Sequence, residues 1–382
     1  MQRAAETLNL SEYTNIEVPL TEGIKYAGSK LKLLPYILHL VKKVKPARVL
    51  DGFSGTTRVA QALARSGYQI IANDSAIWSK VFATCFLLND RPKSHYKELI
   101  EHLNSLTGKD GWFTENYGGK PNGGLAKQLD NLKKPWQTHN TRRLDAIREE
   151  IDNLSLDEVE RAMALTSLIL ALDSVDSTIG HYAAYLNKWS ARSYNKMVLK
   201  VPNFVISQKA HQVLQDDIFS VLDDTECDLA YFDPPYGSNN EKMPPSRIRY
   251  AAYYHVWTTI CLNDKPRLFG KAKRRADSSD KIAASVFEEF RRNPKTGRFI
   301  VVEAIERILK NTRARHIILS YSSGGRATAD ELNEAIRKCG KVKEVIQIDY
   351  KKNVMADMRW TSEWVADAEA TNKEFLFLIE KD

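Results

Sequence analysis

The stretch Asp233-Pro234-Pro235-Tyr236 constrains this chain more than any other. It follows Leu229-Ala230-Tyr231-Phe232, a continuous apolar run of the kind needed by a strand buried on both faces. Two prolines cannot extend such a strand, because proline has no N–H for the ladder and its φ is locked. The acid and the tyrosine therefore sit on a stiff loop just past a strand's C-terminal end, where open α/β sheets bind ligands. That loop offers a carboxylate, a main-chain carbonyl outside any ladder, and an aromatic face. Such groups suit a planar amine, and adenine, cytosine, guanine and a glutamine side chain all meet that description.

A second strand end lies far upstream. Arg48-Val49-Leu50-Asp51 reads as a short strand, Gly52-Phe53-Ser54-Gly55 as a tight turn, and Thr56 to Ser66 as a helix stopped by Gly67. Tyr68 to Ala72 is a further strand ending at Asn73-Asp74, and a helix runs from there through Phe86. This order is a βαβ unit. The sheet resumes at Gln212-Val213-Leu214 and Leu229 to Phe232. A helix over 299–311, a strand from His316 to Tyr321, a helix opened by the capping pair Thr328 and Glu331, and strands near Val345–Ile348 and Phe375–Ile379 complete the pattern.

The expected fold is α/β, with a Rossmann-like, mostly parallel sheet and one antiparallel strand near the C-terminus. Residues 1–91 and 206–382 form the catalytic part, and 92–205 is an inserted, mainly helical region with a capping box at Ser155 and Glu158. Right-handed crossovers set the first strand beside the Asp233 strand, so that Asp51, Gly55 and Asp233 face one crevice.

Bulk properties limit the function classes. The net charge of +8 fits a polyanionic partner. Cys85, Cys227, Cys261 and Cys339 are widely spaced with no CxxC pair, which argues against a zinc site or a disulfide framework, and Cys85 and Cys227 read as core. No metal-ligand cluster is evident. No leader and no apolar run near ~20 residues stands out, so a cytoplasmic protein away from membranes is expected.

The turn Phe53-Ser54-Gly55 lets backbone approach a ligand, although it is not the GxGxxG fingerprint of dinucleotide sites. Asp74 ends the second strand, where an acid accepts hydrogen bonds from a ribose diol or simply caps the next helix. Upstream lies Lys25-Tyr26-Ala27-Gly28-Ser29-Lys30. In order, KYAGSK, DGFSGTTRVA, AND and DPPY resemble the Dam-type DNA adenine-N6 methyltransferases, which use S-adenosyl-L-methionine. The resemblance spans roughly residues 20–90 and 210–237, with the Ile318-Leu319-Ser320-Tyr321 strand. It implies that Tyr26, Lys30, Asp74 and Asp233 contact the methyl donor, with Asp51 and the Phe53–Gly55 turn alongside. It also assigns Asp217, or equally Asp216, to the donor's adenine ring. Thr57 stands where the family often has a second glycine.

The same resemblance implies a mechanism. Asp233 and the Pro234 carbonyl accept the two N6 hydrogens of adenine, Pro235 stiffens the loop, and Tyr236 stacks on the base. The lone pair so localised attacks the sulfonium methyl, on a base flipped out of double-stranded DNA. A restriction–modification setting follows as an expectation, with a cognate endonuclease acting on the same site without direct binding. The DNA would be read by Arg142, Arg143, Arg148, Lys188, Arg192, Lys196 and Lys200, with Trp136, Trp189 and Tyr194 interleaved, and by a second block of Arg247, Arg249, Lys271, Lys273, Arg274 and Arg275. Rival readings are an RNA-base or cytosine-N4 methyltransferase, and a catalytically silent DNA-binding subunit on the same fold.

Overall fold

The computed structural model describes residues 16–121, 123–236, 249–279, 281–283, 285–351 and 371–381. After α1 (Leu34–Val44) come β1 (Arg48–Asp51), α2 (Arg58–Arg65), β2 (Gln69–Asn73) and α3 (Ile77–Leu87), the expected βαβ unit. There follow α4 (Lys97–Ser105), α5 (Trp112–Tyr117), the two-residue strands β3 (Gly118–Gly119) and β4 (Trp136–Gln137), α6 (Thr138–Asn153) and α7 (Glu158–Ser174). The sheet resumes with β5 (Gln212–Leu214), α8 (Ile218–Asp224) and β6 (Leu229–Phe232). Next are α9 (Tyr250–Tyr253), α10 (His255–Leu262), and the short pair β7 (Leu268–Phe269) and β8 (Arg274–Arg275). The remainder is α11 (Ile300–Asn311), β9 (His316–Ser322), α12 (Ala329–Arg337), β10 (Gly340–Lys351) and β11 (Thr371–Lys381).

Seven strands form one sheet in the order β10-β11-β9-β6-β1-β2-β5. Neighbours run parallel except β11, which is antiparallel to both β9 and β10. Strand order reverses at β1 and β6: the chain leaves β1 for β2 on one side and β6 for β9 on the other. The crevice at the C-terminal ends of these two strands is therefore the switch point at which such sheets bind ligands. Alternation along the strands feeds two cores. Val49, Ile70, Leu229, Tyr231 and Ile318 pack under α1 and α2, while Leu50, Ile71, Ala230, Phe232 and Leu319 pack under α8 and α11. A third core joins Phe82 and Phe86 of α3 to Leu144 and Ile147 of α6, Leu165 and Leu168 of α7, and Trp257 of α10. Because Ala83 and Leu87 of the same α3 belong to the sheet's core, that helix fastens the inserted segment to the sheet.

Three expectations change. The capping box of α7 is Asp157 with Glu160, not Ser155 with Glu158: the Asp157 side chain accepts from Glu160 N and Glu160 reaches back to Asp157 N. The inserted segment is helical only to Ser174; from there to β5 it is irregular apart from a short 3-10 turn at Ala191–Tyr194. The segment beyond Asp233, read as polar and basic, contains the apolar helix α10, whose Val256, Trp257 and Ile260 are fully buried. Among the described residues no helix is long and apolar enough to cross a membrane.

Candidate active site

Two loops at the switch point build the floor of a cleft of about 670 Å³. The first leaves β1. Gly52 N–H donates to Tyr231 O at 3.0 Å and Ser54 N–H to Asn73 O at 2.9 Å, tying the turn to the strands on either side. A Cβ on Gly52 would lie 2.8 Å from Cδ1 of Phe232, so only glycine lets these strands stay together. Gly55 has φ +47°, and a Cβ there would meet the Tyr26 hydroxyl at 3.3 Å. Asp74, at the end of β2, accepts from Gly55 N at 2.8 Å and from Ala76 N at 2.9 Å, one oxygen each. It thus both shapes the turn and steadies the start of α3. Thr57 holds φ 61° where the family often has glycine. Its Oγ1 accepts from Gln61 Nε2 at 2.9 Å, and this bond helps hold an αL conformation that is strained for a β-branched residue.

The second loop leaves β6. Oδ1 of Asp233 pairs with Lys30 Nζ at 3.0 Å and also accepts a short hydrogen bond from the Tyr236 hydroxyl. That hydroxyl lies 3.0 Å from Ser320 Oγ on β9, and Lys30 Nζ sits 4.9 Å from the Tyr236 ring centroid. Tyr236 is fixed by its own backbone too: its carbonyl accepts from Arg326 N at 2.9 Å. Since β6 ends at Phe232, the Pro234 carbonyl lies beyond the ladder.

An aromatic wall closes the cleft. The Tyr26 ring stacks on Tyr254 at 4.7 Å and Tyr250 at 5.4 Å, with Trp78 tilted against it at 5.8 Å. The backbone of the turn is held as well: Ala27 N donates to the Tyr254 hydroxyl at 2.7 Å, and the Tyr250 hydroxyl donates to Ala27 O at 3.2 Å. Gly28, at φ 83°, turns the chain so that Tyr26 and Lys30 reach the same cleft.

The electrostatics of the cleft are those of several buried acids close together. Neither carboxylate oxygen of the buried Asp51 has a hydrogen-bond partner among the described residues. Burial, with Asp233 and Asp74 nearby, pushes its carboxyl up to about 8. Burial also raises Asp74, against the pull of its backbone donors, and raises Asp233, against Lys30 and Tyr236. Glu374 of β11, whose buried Oε2 has no hydrogen-bond partner among the described residues, is raised by burial as well.

Tyr26, Lys30, Asp51, Phe53, Gly55, Asp74, Asp233, Pro234, Pro235 and Tyr236 all line this cleft. Asp217 does not. It is the N-cap of α8, its Oδ1 accepting from Phe219 N at 2.9 Å, and the wall nearby is supplied by Gln215. Sequence reasoning passed over Tyr250, Trp78, Glu288, Ser320 and Glu374. The run Tyr250-Ala251-Ala252-Tyr253-Tyr254 was a visible aromatic signal. Glu374 had none, since only pairing with β9 brings it near Asp233.

Several of the basic residues expected to read DNA make their contacts within the fold. Arg148, 1% exposed, donates to Ile260 O and Cys261 O at the end of α10 and pairs with Asp152. Arg143 caps the end of α4 through Asn104 O and Leu106 O. Arg192 pairs with the buried Asp176, Arg249 with Glu288, and Arg275 with both Asp264 and Asp277. Trp136 and Trp189 are buried. Arg274 is half-buried and donates to Ser278 O. Arg142, Lys188, Lys196, Lys200, Lys271 and Tyr194 remain exposed, and Arg247 lies outside the described residues. Cys85 is buried, whereas Cys227 is only partly so. Among the described residues no group of three or more His, Cys, Asp or Glu could hold a metal ion.

The chain is similar to the Type II methyltransferase M.FokI of Planomicrobium okeanokoites, 28% identical over 94% of this chain and 53% of that one. It is similar also to the modification methylase StsI of Streptococcus sanguinis, 27% identical over 86% of this chain and 48% of the other. It therefore spans about half the length of both relatives. With the Type II methyltransferase M.NlaIII of Neisseria lactamica the identity is 25%, over 86% of this chain and 92% of the relative. The family model described as D12 class N6 adenine-specific DNA methyltransferase matches residues 26–317. That span runs from the stacked tyrosine of the cleft, through both loops of its floor, into β9, and the chain belongs to this family.

Proposed function

We propose that this chain methylates N6 of adenine in double-stranded DNA, with S-adenosyl-L-methionine as donor and the target base turned out of the helix. The observation that carries the reading is the placement of Asp233, one oxygen already engaged, beside a non-ladder carbonyl in the same cleft as the unpartnered carboxyl of Asp51. The cleft fits the donor on its own terms. Asp51 is a buried acid in need of a cation, and the α-ammonium of the donor's methionine end is one. The family and the relatives' names, Type II methyltransferase and modification methylase, support a restriction–modification role, with an endonuclease that acts on the same sequence without binding this chain.

When bound, S-adenosyl-L-methionine supplies an electrophilic methyl group. The amine of adenine is a poor nucleophile because its lone pair is delocalised into the ring. Asp233 Oδ2 and the Pro234 carbonyl accept its two hydrogens, draw the nitrogen toward tetrahedral geometry and localise that pair. Asp233 then receives the proton released as the amine gains its methyl. The prolines hold both acceptors still, so positioning supplies much of the rate. Tyr236, held by Ser320 and the Arg326 amide, presents its ring to the base.

The test is direct. The purified chain is incubated with tritiated donor and either duplex DNA or, in parallel, RNA, the product is digested, and its nucleosides are separated. Label in N6-methyladenine is expected. Label in N4-methylcytosine, label in RNA alone, or none at all would overturn the reading, and the last outcome together with no thermal shift on adding donor would identify a silent subunit.

A further inference from the structure

Resting on the reading just given, we infer that Lys30 is a positioning residue for methyl transfer. Its buried ammonium pairs with Asp233 and favours the carboxylate there, and it occupies Oδ1 so that Oδ2 receives the amine.

Acids crowd this space. Asp51 and Asp74 end β1 and β2, Asp233 follows β6, and Glu374 projects from β11 beside them. Tyr231 and Tyr236 face Asp233 from its own strand and loop, and Tyr26 and Tyr250 from the aromatic wall. Like charges this close in a buried cluster oppose one another's ionisation. Asp74 is held by backbone N–H groups, and the ammonium of Lys30 pairs with Asp233. Lys30 is 7% exposed and lies 3.0 Å from Asp233 Oδ1, while Asp51 has no cation beside it among the described residues and is eased only weakly by the Ala60 amide and the Ser54 hydroxyl. The ammonium is held in turn by the face of Tyr236, 4.9 Å from the centroid.

The hydrogen-bond chain gives direction as well as charge. Ser320 Oγ and the Tyr236 hydroxyl are 3.0 Å apart, and the Tyr236 hydroxyl donates to the same Oδ1 that Lys30 holds. Lys30 and Tyr236 therefore both fall on Oδ1, with Ser320 also hydrogen-bonding the carboxyl, and Oδ2 is the oxygen we assign to the substrate amine. Burial raises the Asp233 carboxyl while Lys30, ahead of the Tyr236 hydrogen bond, pulls it down. Removing the ammonium leaves only the Tyr236 and Ser320 hydrogen bonds to oppose burial, so a higher pH is needed to ionise Asp233. Lys30 reaches its post because Gly28 turns the chain within the Tyr26–Lys30 segment, which explains the short spacing between a wall residue and a charge.

The test is the pH dependence of kcat at saturating donor and DNA, from about pH 5.5 to 9.5, for the wild type, Lys30→Gln and Lys30→Arg. In Lys30→Gln the acid limb moves up by about one pH unit or more. Transfer below the limb then falls about tenfold or more and recovers as the pH is raised. Lys30→Arg keeps the limb within about 0.3 unit of wild type, and duplex and donor affinities stay within about threefold in both. A Lys30→Gln limb superimposed on that of the wild type overturns the inference. So does a pH-independent loss with weakened donor binding, which would make Lys30 a donor contact. If Lys30→Gln does not fold, the decision passes to Lys30→Arg, where a limb displaced by a full unit overturns it. A wild-type protein that methylates no adenine overturns the proposed function instead, so the two failures are told apart.

Discussion

At the scale of single residues, Asp51 is the most exposed to test, because its cost to the fold and its use to the site have opposite signs. An unfolded aspartate loses its proton near 3.8, whereas buried Asp51 keeps it to about 8. The folded state therefore binds more protons across that window, and this residue makes stability fall as pH rises through it. Asp51→Asn should raise the melting temperature of the donor-free protein at pH 7 and flatten its pH dependence between those values. The same variant should weaken donor binding about tenfold or more by calorimetry, since a charge partner for the ammonium is gone. A less stable Asp51→Asn would contradict the picture of an unpartnered acid. Asp233→Asn should lower transfer of labelled methyl by about 10²–10⁴-fold and leave duplex affinity near wild type, because the side chain keeps its shape but cannot take a proton.

At the scale of elements, the site depends on how closely β1 and β6 approach. Their register sets Asp51 opposite Tyr231, two residues before Asp233. Gly52 allows that approach, its missing Cβ leaving room for the Phe232 ring. Gly52→Ala should cost about 1–3 kcal/mol in urea unfolding through overpacking. Combining it with Phe232→Leu should cost less than the sum of the two single changes, because the smaller side chain makes room. The capping box of α7 shows why short motifs misplace helix ends: Ser155 and Glu158 matched the pattern, but Asp157 and Glu160 matched it equally and made the bonds. Arg143 and Arg148 of α6 were misread for a similar reason. A guanidinium at a neighbouring helix's C-terminal carbonyls and one facing a phosphate look alike in sequence, and only packing separates them.

At the scale of the whole molecule, α3 serves two cores at once and the turn at Tyr26 ties into both halves. Lys25 Nζ lies 3.1 Å from carboxylate oxygens of both Asp173 and Asp176, so the cleft wall is tethered directly to the inserted segment. DNA contact by that segment would be felt at the Tyr26 wall through this pair. The exposed cations left after the structural arginines are set aside predict where the contact lies. Reversing Lys196 and Lys200 to Glu should lower the salt dependence of duplex binding by about two in log–log slope, read by anisotropy at several salt concentrations. Arg148→Met, by contrast, should destabilise the fold by about 1–3 kcal/mol, because two helix-end carbonyls lose their donor while Asp152 keeps Arg161 and Asn263, and should leave that slope unchanged.

The sequence by itself determined where the candidate site lies. An apolar run ended by Asp-Pro-Pro-Tyr, a strand ended by Asp51 and a glycine turn, and an acid at Asp74 are local patterns with local causes, and ten of the eleven site residues so named share one cleft. What only the tertiary structure decided was which charges face each other. The pairing of Lys30 with Asp233, the orphaned state of Asp51, the arrival of Glu374 and Tyr250, and the burial of Arg148 all join residues far apart along the chain. The physical reason is that side-chain type and spacing fix a backbone's local path, whereas burial and ionisation depend on neighbours that only packing brings near.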